Sequence, residues 1–236
     1  GNNALLSTTV SELTGVGASA GRLATGTGST FVGFNSGRFV TSATAGTFIG
    51  HSAGKGIDDT KLTGAANTVV GHQAGLVLQG NANNNTLMGH NAGVAIETGT
   101  QNTVFGKGAL LACTTSSNNT AVGASSLAAC TGALNVALGI TSGLGITSGE
   151  GNISIGYNSC AVAVTGANNT VVGRQAGGTL QSGIDNVLLG RETNVDNEGR
   201  DLAVALGAGV GTFAADSSFR VIGAGGVYNT GNTSAW

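Results

Sequence analysis

His51, His72 and His90 each follow directly on a glycine, and the same position in later segments holds Lys107, Tyr157, Arg174 and Arg191. Imidazole, ammonium, phenol and guanidinium groups recurring at one phase of a repeat make a polar stripe suited to an acidic or sugar-bearing surface. The same groups also suit a plain solvated edge. A metal is disfavoured, because no carboxylate or cysteine shares the phase and Ala124 and Ile140 interrupt it. The seven polar residues are therefore a candidate receptor-contact column. Catalytic chemistry has less to draw on. Asp58 and Asp59 are sequence neighbours in an insertion, Lys55 to Thr63, whereas paired acid and base work needs carboxylates that face each other. Gly143-Leu144-Gly145 lacks the Lys-Ser/Thr of a phosphate loop, and no recurring Asp marks a calcium-binding roll. Cys113 and Cys130 each lie seven residues after a glycine and so stack in neighbouring repeats, with Cys160 in another column. Small buried thiols are expected, because three cysteines do not make a disulfide scaffold and no CxxC suggests zinc. The reading is a non-enzyme with no catalytic residue, metal or cofactor.

The elements that position the stripe are set by a repeat. Among 236 residues, 43 are glycine, none is proline and 8% are charged. A collagen-like triple helix is excluded by the lack of proline and of glycine at every third place. The 40% apolar content needs burial, so the chain folds. No apolar run is long enough for a membrane helix, and no basic tract points to nucleic acid. A short apolar triplet closed by glycine returns at Gly33, Gly50, Gly71, Gly89, Gly106, Gly123, Gly139, Gly156, Gly173, Gly190 and Gly207, mostly 17 residues apart. Gly17 and Gly223 fit less well at the two ends. Seventeen residues are too few for a helical hairpin or a propeller blade, and β-branched triplets favour strands. The expected fold is all-β: a parallel β-solenoid whose coils each trace two strands of about four to six residues and two turns. It should span residues 15–207, after a lead-in segment 1–14 and before a capping segment 208–236.

Fixed spacing makes fixed columns. Four residues before successive closing glycines stand Asn67, Asn85, Asn102, Asn119, Asn135, Asn152, Asn169 and Asn186, expected to form a structural amide ladder and to tolerate turn geometry. Gly64, Gly99, Gly132, Gly149, Gly166 and Gly183, seven residues before the closing glycine, are expected to take a positive φ at a reversal. Within each triplet alternate residues face opposite sides. The outer pair, such as Thr68 and Val70, and the central residue, such as Val69, Val171 or Leu188, are mostly apolar, so both faces need cover. Another copy of the chain is expected to supply it over the central column.

Asn119 to Leu127 and Asn169 to Gly177 show a unit Asn-Thr-x-Val-Gly-x-x-Ala/Ser-Gly/Leu that resembles the repeats of phage tail fibres. It is similar also to the heads of trimeric autotransporter adhesins. The resemblance implies a homotrimeric fibre on a threefold axis; if the histidine column faced that axis, symmetry-related imidazoles could hold a metal. It further implies a role in host attachment on the virion, with a cell-surface glycan or outer-surface protein as receptor. Asn229 to Trp236 looks like the segment that precedes a self-cleaving chaperone domain in many phage fibres, which would put Trp236 near a processing site. A chain starting Gly1-Asn2-Asn3 without Met is expected of a fragment or processed product. The alternative is the head of a bacterial surface adhesin. An ice-binding solenoid is less favoured, because it would present Thr-x-Thr rows where this chain pairs Thr with Ile, Val, Met or Phe.

Overall fold

The computed structural model describes residues 1–6, 12–195, 198–209, 219–223 and 226–230, and these contain no helix. The chain divides into two compact units, Gly1–Ala124 and Ser125–Trp236. The first unit holds seven strands, β1 (Thr14–Val16), β2 (Thr30–Val32), β3 (Thr47–Ile49), β4 (Thr68–Val70), β5 (Thr86–Met88), β6 (Thr103–Phe105) and β7 (Thr120–Val122). Each is parallel to the next and in register with it. The second unit holds β8 (Val136–Leu138), β9 (Ile153–Ile155), β10 (Thr170–Val172), β11 (Val187–Leu189), β12 (Val204–Leu206), β13 (Phe219–Gly223) and β14 (Gly226–Thr230). Strands β8 to β13 run parallel, and β14 folds back antiparallel on β13. The fold is a parallel β-solenoid with one coil per repeat.

The coil is more turn than strand. Its one regular strand has three residues in β1 to β12, and the second strand expected from length is reduced to isolated bridges such as Val40 to Leu62 and Ile146 to Val164. Left-handed residues are the reason. In the coil that follows β4, Gln73 (φ 55°), Gly75 (φ 50°) and Asn84 (φ 56°) each turn the chain before pairing can extend. The expected positive φ at Gly64 and its column is not found. Those glycines serve close approach instead: a Cβ on Gly64 would overlap the Ala82 carbonyl of the next coil, and one on Gly166 that of Gly183. Left-handed geometry falls on the residue just before each ladder asparagine, as at Ala66, Asn118 and Asp185.

The core lies inside the coils. In the first unit the central strand residues Phe31, Phe48, Val69, Leu87, Val104 and Ala121 are fully buried, and so in the second are Ala137, Ser154, Val171, Leu188 and Ala205. This corrects the expectation that another copy covers the central column: the chain covers it unaided. Three residues after the closing glycine lies a second buried column of small residues, such as Ala53, Ala74 and Ala92. A third, across the coil, holds Leu78, Ile96 and Cys113 in one unit and Cys130, Ile146 and Leu180 in the other. Volumes are matched within the coils. The large Phe31 lies against Gly21 and Gly37, where any Cβ would strike its ring, and it stacks on Phe48 with centroids 5.4 Å apart. Around the smaller Ala137, Leu127 fills the space instead.

The last parallel pairing also departs from the glycine count. Val204, Ala205 and Leu206 pair with Phe219, Arg220 and Val221, one residue earlier than an alignment of Gly223 with Gly207 requires. Strand β14 then returns antiparallel along β13. Trp236 and the preceding residues from Gly231 onward lie outside the described residues.

Candidate attachment surface

The alternation Asn-Thr-Val-Val-Gly decides which side chains meet solvent. Asn67 and Val69 point inward and are buried; Thr68 and Val70 point outward and are half-buried. Parallel in-register pairing repeats that choice in every coil, so the outer sheet face carries two columns. In the first unit one column is all threonine, Thr14, Thr30, Thr47, Thr68, Thr86, Thr103 and Thr120, and the other all apolar, Val16, Val32, Ile49, Val70, Met88, Phe105 and Val122. Phe105 is 43% exposed and Ile49 38%. In the second unit both columns are largely apolar, with Leu138 at 48% and Ile153 and Leu189 also exposed. The partly exposed apolar face is therefore this outer one.

The candidate contact column borders it across the closing glycines. These have φ between 121° and 144°, and a Cβ on any from Gly71 to Gly106 would strike the backbone of the next closing glycine. The residue that follows each is thereby fixed at the same edge in every coil. In the first unit His51, His72 and His90 stack ring on ring with successive centroids 5.1 and 5.0 Å apart, and Phe34 lies against His51 at 5.3 Å with its ring tilted by 35°. All three imidazoles are exposed, as is Lys107 one coil on. Phe34, half exposed, extends the stack by a ring that the polar pattern passed over. In the second unit Tyr157, Arg174 and Arg191 are exposed, and both guanidiniums meet Glu192, Arg174 at 2.9 Å and Arg191 at 3.4 Å. The column is thus a flat ring stack in one unit and a screened ion-pair cluster in the other. Among the described residues no group of three or more His, Cys, Asp or Glu is arranged to hold a metal.

The asparagines lie inside, behind the strands. In the first unit Asn67 Oδ1 accepts from both the backbone N–H and the side-chain amide of Asn85, each at 3.1 Å, and Asn85 Oδ1 does the same for Asn102. In the second, Asn152 Oδ1 serves Asn169 and Asn169 Oδ1 serves Asn186, while each amide also donates across the coil, as Asn169 does to the Gly183 carbonyl at 2.8 Å. Asn119 donates its backbone N–H to Asn102 Oδ1, and Asn135 donates its amide to the Gly149 carbonyl. The ladder satisfies buried backbone groups that turns leave over.

Cys113, Cys130 and Cys160 are buried thiols. Burial raises the Cys113 thiol above its ordinary range and pushes Cys160 up from 9.0 to about 12, partly offset by a hydrogen bond with Ser154. A thiol with a raised folded value stabilises the fold fully below the unfolded value and loses that contribution as pH climbs through the folded one. Between pH 8 and pH 11, urea unfolding of the second unit is expected to lose about 2–3 kcal/mol that a Cys160→Ala variant does not lose. Equal losses in the two proteins would show that Cys160 is not the titrating group.

Asp58 and Asp59 are exposed on the insertion. Periodicity also passed over a column five residues after the closing glycine, where Arg22, Arg38 and Lys55 occupy three successive coils. No protein-family model matches the chain, and no curated protein matches it.

Proposed function

We propose that this chain is a structural and receptor-binding segment of a phage tail fibre, assembled as a homotrimer and acting in host attachment. The observation that carries the reading is the outer sheet face: within each unit successive coils leave a line of half-buried or exposed apolar side chains there, in the first unit beside an exposed stack of imidazole rings. A soluble chain seldom leaves so long an apolar stripe wet, and self-association through the strands' outer columns covers it. The core needs no partner, so association serves to build a fibre rather than to complete the fold. The ring column at the edge of that face then supplies contacts to a host-surface glycan or outer-surface protein, with the imidazole edges offering nitrogens to hydroxyl groups.

The test is adsorption. Fluorescently labelled full chain is incubated with intact Gram-negative and Gram-positive cells, untreated, protease-treated or periodate-treated. Saturable binding to at least one cell type is expected, lowered about tenfold or more by replacing His51, His72 and His90 together with Ala, a loss of about 1.4 kcal/mol or more. Absence of saturable binding to every surface, or equal binding by the triple variant, contradicts attachment through this column.

A further inference from the structure

Arg22, Arg38 and Lys55 follow Gly17, Gly33 and Gly50 by the same five residues, and β1, β2 and β3 pair in register, so the three cations form one column. Coil spacing sets neighbours about 4.8 Å apart along the backbone direction of stacking. Backbone hydrogen bonds on the same stretch hold the coils together: Gly21 N–H donates to the Ser36 carbonyl at 2.9 Å, and Phe39 N–H to the Lys55 carbonyl at 2.9 Å. Phe39, almost fully buried, is a shared platform for two of the charges. Arg38 Cζ lies 4.9 Å and Lys55 Nζ 6.0 Å from its ring centroid.

Among the described residues no acidic side chain pairs with these three, whereas Arg174 and Arg191 of the other unit both pair with Glu192. The Nε atoms of both Arg22 and Arg38 are buried without a hydrogen-bond partner. Neighbouring like charges in the column lie inside one screening length, and their repulsion is a cost that an oxyanion bound along the column relieves. The strip is also bounded, since the next two coils place Leu76 and Val94 at the same phase. It is therefore one residue wide and three charges long. A run of oxyanions on a narrow chain fits it, with the two guanidiniums offering forked donors. Duplex or single-stranded nucleic acid fits less well. The formal net charge is −2, and one buried phenyl ring gives bases nothing to stack on.

We propose that Arg22, Arg38 and Lys55 form a binding strip for an anionic polysaccharide, distinct from the ring column and independent of the assembled state. The test measures binding of the full chain to immobilised dextran sulfate, with neutral dextran, inorganic phosphate and single-stranded DNA as comparisons. Dextran sulfate is expected to bind and to weaken as salt rises. The R22Q/R38Q/K55Q variant is expected to lose at least tenfold in affinity, while K61Q, which removes a cation outside the column, stays within twofold. Should the triple variant fail to fold, K55Q alone is expected to lose about threefold, because it takes one of the three charges from the column. Inorganic phosphate should compete only at high concentration. Binding unchanged in R22Q/R38Q/K55Q, or in K55Q where the triple variant is unfolded, overturns the proposal. So do equal binding of neutral dextran and single-stranded DNA binding as tight as dextran sulfate.

Discussion

Leu188→Asp is expected to unfold the second unit rather than release intact subunits. Leu188 is fully buried in β11 between Val171 of β10 and Ala205 of β12. Removing its side chain from a packed core costs about 2–5 kcal/mol, and an unpaired carboxylate in its place adds several more unless it stays protonated. Together these approach the whole stability of a typical domain, about 5–15 kcal/mol. Val171→Asp should behave in the same way. Circular dichroism with limited proteolysis checks the outcome: loss of the β signal and rapid cleavage are expected. A protease-resistant, well-folded single chain would instead mean that these residues face a partner.

The outer face should respond in the opposite sense. Ile49→Glu together with Phe105→Glu places two charges on strands β3 and β6, where the native side chains are already more than a third exposed. Within one chain the change should cost less than about 1 kcal/mol, because exposed substitutions seldom disturb a fold more than that. Across a subunit contact, each large apolar side chain covered contributes about 1.5–3 kcal/mol, so self-association should weaken at least ~100-fold. Sedimentation velocity on the variant and the parent over a range of dilutions checks it. An unchanged association constant would place the contact elsewhere.

The contrast between these two outcomes depends on a distinction that alternation alone does not make. Period two says that Val69 and Val70 face opposite ways, and both are valine, so nothing in the pair says which is inside. The asparagine two residues before Val69 carries the missing signal. A buried amide ladder has to sit within the coil, and the residue two positions on shares its face. The repeat itself was legible because in-register stacking demands the same residue type at the same phase, as glycine does where coils meet backbone to backbone at Gly71 and Gly89. The left-handed turns were not legible, because Ser52, Gln73, Asn91 and Glu192 occupy equivalent places with little in common chemically. The strand length followed from those turns and was missed with them. At the candidate surface, the histidine phase was visible in the sequence, but the face-to-face ring stacking and the role of Phe34 arise from packing. The Arg22, Arg38 and Lys55 column was hidden because later coils replace it with Leu76, Val94 and Leu111.

We propose that the chain's outer sheet face, and not its core, is what a second and third copy cover. Mass measured by sedimentation equilibrium at nanomolar dilution tests it most directly. The account predicts a species three times the 22.8 kDa of one chain, converted to folded single chains by the Ile49→Glu and Phe105→Glu changes. A folded parent protein sedimenting at 22.8 kDa with its outer columns in water would contradict it.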